Sequence, residues 1–302
     1  MRVAAIDIGS NSVRLLVADV DKQAVVPVHT ALITTRLGKG IEGRYLLSGT
    51  VERTIKALDE FLLAVRSLKP DAIIAAATSA VRDAQNSYQF VDLAKKELEL
   101  EVNILSGKEE AYLTYQGVLT GLRQESRHML VVDLGGGSTE FIWPGKKEVD
   151  WESVNVGAVR ATEGKYSREK IKTLLKPVLD QIAASRPSGL IGVGGTVTNL
   201  AAMALMLNVY DSSQVHSYRL TLDKVRELMS ILQVTPVEER KNIPGLQPER
   251  VDIIEAGTNI IAAIMEYLQI DSLEVSEADI LYGLALEAAQ NVDRKAGNTY
   301  QK

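Results

Sequence analysis

The sequence predicts an α/β fold made of two related halves, on the strength of an internal repeat and an alternation of elements. The segment 3–12 (VAAIDIGSNS) recurs at 129–138 (MLVVDLGGGS), so that Asp, Gly and Ser each reappear 126 positions further on. Short apolar runs alternate along the chain with stretches whose apolar residues recur at helical spacing, a pattern typical of α/β layers. We expect one domain over residues 1–125 and a second over residues 126–302.

Each half opens with a predicted β-hairpin, because an apolar run, a turn rich in Gly and Ser and a second apolar run follow one another. Apolar residues at every third or fourth position predict helices, and short apolar runs between polar turn residues predict buried strands. In chain order these criteria predict a hairpin over 3–20, a helix over 51–65 capped by Ser48, a strand over 72–77, a helix over 87–99, a strand over 102–105, a helix over 109–121, a hairpin over 129–143, a helix over 168–185, a strand over 190–193 and helices over 197–207, 222–233, 249–268 and 277–291.

The composition is that of an ordinary globular protein and excludes several kinds of site. The chain has 302 residues with 34 Lys+Arg and 39 Asp+Glu, which gives a net charge of −5. The absence of Cys and the presence of only three His exclude disulfides and thiolate or His-rich zinc sites. A mildly acidic chain without a basic block is a poor candidate for binding a nucleic-acid duplex. The absence of a long apolar run or a leader-like start predicts no membrane association, and we expect a cytoplasmic protein.

The two hairpin turns are the strongest candidate binding sites. The first presents Ser10, Asn11 and Ser12, and the second presents 135–137 (GGG) and Ser138. Successive backbone amides and hydroxyls converge on anions such as phosphate. One such turn is most simply a tight hairpin with flexible Gly, but two in register favour phosphate binding. The Asp that ends each first strand suits a hard divalent cation.

Further candidate residues lie outside the two turns. Gly195 and Thr196 stand between a strand and a helix, where helix amides bind anions and where Gly also serves close packing. Ser106 and Glu109 have the spacing of a capping box, which leaves Glu110 as a carboxylate without that local role. Its simplest interpretation is a favourable charge in the first helical turn.

Three more charged residues have both a binding and a structural interpretation. Glu140 follows Ser138 by two positions, so both face the same side of a strand, beside Asp133. It is either a site residue or an exposed strand carboxylate. Arg82 and Arg160 could each hold a phosphate through two N–H groups, although a solvated Arg is the default.

Six ordered motifs resemble those of the bacterial exopolyphosphatase/guanosine pentaphosphate phosphohydrolase family, and together they cover nearly the whole chain. The matching stretches are 5–12, 77–84, 105–111, 132–140, 156–160 and 192–196. The resemblance implies two ribonuclease-H-like domains of the actin and sugar kinase superfamily that flank an interdomain cleft. It also implies the short, two-domain form, without the C-terminal helical extension of longer members.

The resemblance also implies residue roles. Glu110 matches the family's general base, and Asp133 and Glu140 match its Mg²⁺-associated carboxylates. A monovalent cation is left open as a second ion. The family often reads Gly-Leu-Arg-Glu-Gly where this chain has 279–283 (DILYG), which lacks that Arg and Glu. The phosphate-contacting positions carried over or indicated by the turns are Ser10, Asn11, Ser12, Arg82, Gly135, Gly136, Gly137, Ser138, Gly195 and Thr196.

The function that this resemblance implies is Mg²⁺-dependent hydrolysis of the terminal phosphoanhydride of inorganic polyphosphate. Guanosine pentaphosphate is the alternative substrate, since its γ-phosphate poses the same chemistry. Basic residues of the first half that are candidates for a polyphosphate track (Arg36, Lys39, Arg44, Lys108) and the low aromatic content favour polyphosphate. A catalytically inactive nucleotide-binding sensor is an alternative of another class, which the retained carboxylates disfavour. A homodimer is the usual expectation for such enzymes.

Overall fold

The computed structural model describes residues 1–22, 24–121, 128–145 and 149–299, with side chains described as far as residue 292. The chain divides into two compact units. The first unit contains residues 1–120 and the segment from Ala278 onward, and the second contains residues 121–277. The predicted boundary between residues 125 and 126 lies outside the described residues.

The first unit is a five-stranded sheet with helices packed against it. Its sheet has the strand order β3-β2-β1-β4-β5, in which β1 pairs antiparallel with β2 and parallel with β4. Its elements are β1 (Arg2–Ile8), β2 (Ser12–Asp21), β3 (Ala24–Thr34), α1 (Ser48–Leu68), β4 (Ala72–Ala77), α2 (Ser79–Arg82), α3 (Ser87–Leu98), β5 (Val102–Ile104), α4 (Gly107–Gly121) and, from the end of the chain, α11 (Ile280–Thr299).

The second unit repeats this plan and adds one edge strand. Its elements are β6 (Leu130–Leu134), β7 (Thr139–Pro144), β8 (Val149–Val154), α5 (Ala158–Glu163), α6 (Arg168–Ser185), β9 (Leu190–Val193), α7 (Gly195–Ala204), α8 (Ser212–Val215), β10 (Arg219–Thr221), α9 (Leu222–Val234), α10 (Ile254–Leu268) and β11 (Ser272–Val275). The sheet order is β10-β11-β9-β6-β7-β8.

Both sheets follow one ribonuclease-H-like strand order. A three-stranded antiparallel meander (β3-β2-β1 or β8-β7-β6) is extended by two parallel strands (β4-β5 or β9-β11). The predicted α/β fold of two related halves is therefore confirmed. Because the loops after β1 and β6 begin at the same edge of equivalent sheets, the repeated motif occupies equivalent positions in the two units.

The segment from Ala278 onward corrects the predicted division, which assigned everything after residue 126 to the second domain. Helix α11 buries Leu284 and Ala285 in an apolar cluster with Val3, Ala5 and Leu16, on one face of the first sheet. Burial of this apolar face keeps the end of the chain with the first unit. No local pattern in the sequence reveals a contact across so long a separation.

Several element boundaries also differ from the predictions. Ser48 is the first residue of α1 and makes no side-chain cap, because Leu47 occupies the N-cap position. Helix α10 begins only at Ile254, after a separate 3₁₀ turn over Pro248–Arg250. Within the described residues, no helix combines the length and apolar character needed to cross a membrane.

Helices α4 and α11 approach closely through glycines. A Cβ on Gly117 of α4 would overlap the carbonyl of Asp279 at the start of α11, and a Cβ on Gly283 of α11 would overlap the carbonyl of Leu113 of α4. Only glycine permits this approach of the two backbones. The two helices are therefore fixed to one another at the N-terminal end of α11, next to Asp279.

We predict that Gly117→Ala lowers the free energy of unfolding by about 1–3 kcal/mol, because the added methyl group forces the two helices apart. Urea denaturation measures this change. Gly43→Ala is the matched control, since a Cβ at Gly43 meets nothing within 4 Å. Equal stabilities of the two variants would contradict the packing described here.

Candidate active site

The segment that follows β3 supports the turn between β1 and β2 through hydrogen bonds to the carbonyl groups of the turn. Gly9 N–H donates to the Ser12 carbonyl across the turn at 3.1 Å. The carbonyl of Ser10 accepts from Gly38 N–H at 2.7 Å, and the carbonyl of Asn11 accepts from the N–H groups of Thr35 and Arg36. These bonds fix the turn's carbonyl oxygens, which would repel an anion, on the side of the supporting segment.

The hydroxyls of this first turn also have partners. Ser10 Oγ lies 3.0 Å from Ser79 Oγ at the start of α2, and Ser12 Oγ lies 3.3 Å from Thr34 Oγ1. Asn11 Nδ2 donates to Ser12 Oγ at 3.2 Å. The turn is thus a rigid, buried loop that is tied to both β3 and α2.

The turn between β6 and β7 has the same geometry and a different support. Gly135 N–H donates to the Ser138 carbonyl at 3.0 Å, which repeats the bond from Gly9 to Ser12. The first turn of helix α5 donates its N–H groups to the carbonyls of Gly135 and Gly136. Arg160 Nε donates to the Gly137 carbonyl at 2.7 Å, so this arginine is buried and supports the loop rather than being solvated.

Ser138 provides a sign that this second loop accommodates a ligand. Its side chain is 1% exposed, and its Oγ has no hydrogen-bond partner among the described residues. A buried hydroxyl without a partner costs free energy, so such groups usually serve a ligand or an ordered water.

Charged pairs at the ends of the two hairpins distinguish the units. Asp7 on β1 lies directly opposite Arg14 on β2, and Asp133 on β6 lies directly opposite Glu140 on β7. Both positions are related by the repeat of 126 residues. The first unit therefore places a cation where the second unit places another carboxylate.

Arg14 serves as the counter-ion of the first unit. Its Nε and Nη2 donate to Asp7 Oδ2 at 3.0 and 2.7 Å, and its Nη1 donates to Asp279. Burial raises the pKa of Asp7, an effect that Arg14 opposes. Burial alone would lower the pKa of Arg14, but Asp279 and Asp7 raise it above its ordinary value, so the guanidinium stays charged.

The pair in the second unit fits a divalent cation. Glu140 is fully buried and accepts a hydrogen bond from Ser153 Oγ at 2.7 Å. Asp133 Oδ1 lies 3.0 Å from the place a Cβ on Gly194 would occupy, so only glycine leaves room there. Among the described residues, no group of three or more acidic or imidazole side chains could hold a metal. Two carboxylates suit Mg²⁺, which usually takes one or two from the protein and completes its shell with water and phosphate oxygens.

Glu110 and Glu109 have different environments although they are neighbours. Glu109 forms the predicted capping box, in which Ser106 N–H and Ser106 Oγ donate to its carboxylate at 2.8 and 2.7 Å. These hydrogen bonds, led by the one from the Ser106 hydroxyl, lower the pKa of Glu109. Glu110 is 6% exposed, and Arg82 Nη1 donates to its Oε2 at 2.5 Å. Arg82, which the sequence suggested as a phosphate ligand, therefore holds this carboxylate.

The glycine turn before α7 opens that helix, and the threonine side chain there lies toward α10. Gly194 has φ +92°, and α7 begins at Gly195. Thr196 is buried, and its side chain faces the place where a Cβ on Gly257 of α10 would lie. The guanidinium of Arg250 lies over Gly195, where a Cβ would overlap it. No local pattern in the sequence indicates Arg250, because it comes from a 3₁₀ turn that is remote in the chain.

The structure thus groups the predicted site residues by unit. Four of them, Ser10, Asn11, Ser12 and Arg82, lie in the first unit with Glu110, and the others lie in the second. The alignment of the two repeats contained a signal for Arg14, since residue 14 corresponds to Glu140. Residues that no sequence pattern indicated are Ser153 and Arg250.

Comparisons with known proteins agree on one family. The model of the Ppx/GppA phosphatase family matches residues 16–291. A bifunctional 3-dehydroquinate synthase/phosphatase of Fusobacterium nucleatum is 33% identical over 95% of this chain, which spans 46% of that protein's length. Exopolyphosphatase 2 of Mycobacterium tuberculosis is 31% identical, over 95% of this chain and 98% of its own. The solved exopolyphosphatase of Cytophaga hutchinsonii superimposes with a TM-score of 0.86 at 27% identity, over 94% and 96% of the two chains.

We predict that Asp133→Asn and Glu140→Gln each weaken Mg²⁺ binding by at least about tenfold, since loss of a supporting group alone commonly costs that much. Titration calorimetry with Mg²⁺ and Mg²⁺-dependent melting measure the effect. Asp150→Asn is the control, because Asp150 is an exposed carboxylate of the same sheet. Unchanged Mg²⁺ titrations in both variants would remove these carboxylates from the metal site.

Proposed function

Because this chain belongs to the Ppx/GppA phosphatase family, we propose that it hydrolyses the terminal phosphoanhydride bond of inorganic polyphosphate and releases orthophosphate. The observation that carries this proposal is the buried Glu110, fixed by Arg82 in the unit that contains the Ser10–Ser12 turn. A carboxylate held in one orientation suits a general base that activates water. The relatives' names support the choice of a phosphorylated substrate.

The proposed reaction needs one proton acceptor and a set of anion donors. Glu110 accepts a proton from water as the water oxygen attacks the terminal phosphorus. The bond from that phosphorus to the bridging oxygen breaks, and the shortened chain leaves with the bonding electron pair. Phosphoryl transfer of this kind depends on positioning and on charge stabilisation more than on covalent chemistry.

Groups of the chain itself position the base and the phosphate groups of the substrate. Arg82 keeps Glu110 in one orientation, which lowers the entropic cost of the attack. In each unit the phosphate turn has its carbonyls tied back, by residues 35–38 or by helix α5, so that its amides can receive phosphate oxygens. Mg²⁺ bound by Asp133 and Glu140 would offset the negative charge of the phosphate groups.

Basic residues beside the first turn favour polyphosphate over guanosine pentaphosphate. Arg36, Lys39 and Arg44 are exposed in the segment after β3, and that segment donates the hydrogen bonds that support the Ser10–Ser12 turn. A row of cations beyond the reacting phosphate attracts every phosphate group of a long polyanion. The same row attracts a nucleotide less, because a nucleotide has few phosphate groups.

Release of orthophosphate from long polyphosphate and from guanosine pentaphosphate, each with Mg²⁺, tests the proposal directly. Faster release from polyphosphate supports it. Preference for guanosine pentaphosphate would support the alternative substrate, and tight binding without release of phosphate would support a sensor.

We predict that Glu110→Gln lowers kcat by about 10²–10⁴, the usual contribution of a general base, while KM changes little. Gln keeps the size of the side chain but accepts no proton. Glu109→Gln is the matched control, because Gln can still accept the hydrogen bonds of the capping box. Nearly normal kcat in Glu110→Gln, or a folded but inactive Glu109→Gln, would show that the wrong carboxylate is assigned.

We predict that replacing Arg36, Lys39 and Arg44 together by Ala raises KM for long polyphosphate roughly tenfold, since three exposed contacts of about 0.5 kcal/mol each sum to about 1.5 kcal/mol. KM for tripolyphosphate should rise less, and the salt dependence of KM should weaken. The control replaces three exposed lysines of α1 and α3, namely Lys56, Lys95 and Lys96. Equal effects on long and short substrates would exclude the track.

A further inference from the structure

We propose that Arg14 and Asp279 are positioning residues, which hold the helix of Glu110 in place relative to the Ser10–Ser12 turn. The inference rests on the proposed function, because it assigns the pair a part in the reaction of Glu110. It gives a role to the contact between Arg14 and Asp279, which only the fold reveals because the two residues lie 265 positions apart.

Arg14 bridges two buried carboxylates. The guanidinium binds Asp7, which immediately precedes the phosphate turn, and Asp279, which precedes α11. Asp7 and Asp279 are 5% exposed each, so both carboxylates depend on this one cation within a mostly dehydrated environment. Buried ion pairs with several hydrogen bonds constrain geometry strongly, since breaking one partner leaves a charge uncompensated.

Asp279 is connected to the helix of Glu110 through the start of α11. Asp279 Oδ1 accepts from Leu281 N–H at 3.0 Å, so the residue that binds Arg14 also caps the start of α11. That start packs on α4 without intervening side chains, through Gly117 and Gly283. Leu113, which meets Gly283, lies one helical turn beyond Glu110.

A second series of contacts in the first unit joins Glu110 to the same turn through α2. Glu110 binds Arg82 of α2, and α2 begins at Ser79, whose hydroxyl meets Ser10 of the phosphate turn. The turn and the carboxylate are thus joined on one side through α2 and on the other through Arg14 and Asp279. A base held on one side only would be free to shift, and a misplacement of about 1 Å can cost about 10²-fold in rate.

The experiment compares Arg14→Gln, Asp279→Asn and the double variant. Asn keeps an oxygen that can cap α11, so Asp279→Asn removes the ion pair without removing the cap. We expect each variant to lower kcat between about 10- and 100-fold, with KM for tripolyphosphate changed less than about twofold. The double variant should have the same kcat as the single variants, because both residues act through the same ion pair. Arg14→Lys should recover part of the loss.

The same substitutions in the Glu110→Gln background separate positioning from a general structural role. If Arg14 acts through Glu110, then Arg14→Gln lowers kcat no further in that background. Arg2→Gln is the control, because Arg2 and Asp19 form a cross-strand ion pair at the exposed, opposite end of the same hairpin. That control should leave kcat unchanged.

Three results would overturn the inference. The first is a lowered melting temperature with normal kcat in both Arg14→Gln and Asp279→Asn, measured well below the melting temperature. The second is a loss expressed in KM rather than kcat, and the third is a further equal loss in the Glu110→Gln background. Full activity of Glu110→Gln alone would instead refute the proposed base, so the two failures can be distinguished.

Discussion

The candidate site depends on the ion pair between Asp7 and Arg14, because Asp7 is buried immediately before the Ser10–Ser12 turn. A carboxylate buried at the end of a central strand is costly unless an opposite charge lies beside it. The first unit meets this condition with an arginine from the adjacent strand, directly across the hairpin. The second unit, with the same topology, places a second carboxyl group, that of Glu140, at the corresponding position.

The two hairpins share a backbone plan but differ in the residue opposite the aspartate and in the segments that support their turns. In the first unit the protein itself provides the counter-ion of the aspartate, since Arg14 binds Asp7 through two N–H groups. In the second unit the aspartate faces another carboxylate instead. Under the proposed function, a phosphate group would bind beside these two carboxylates only together with a cation, because like charges repel one another.

The sequence predicted the features that are local and missed those that join distant segments. Both hairpins follow from the repeat, and the capping box of Ser106 and Glu109 follows from spacing, since each is decided within a few residues. The unit to which α11 belongs, the contact of Arg250 with Gly195 and the partner of Asp279 are decided by packing between segments far apart in the chain. Hydrophobic periodicity does not predict such contacts. An apolar face shows that a helix is buried on that side, but it does not show which surface covers it.

Arg82 illustrates how the structure gives a side chain a role that the sequence did not indicate. The sequence suggested it as a phosphate ligand, and its Nη1 donates to the Leu105 carbonyl at 3.1 Å and to Glu110, which accounts for the two N–H groups of that nitrogen. These two bonds hold the rigid guanidinium plane between the end of β5 and the first turn of α4. The orientation of Glu110 therefore depends on a contact between segments that lie 28 residues apart, which no spacing within either motif could reveal.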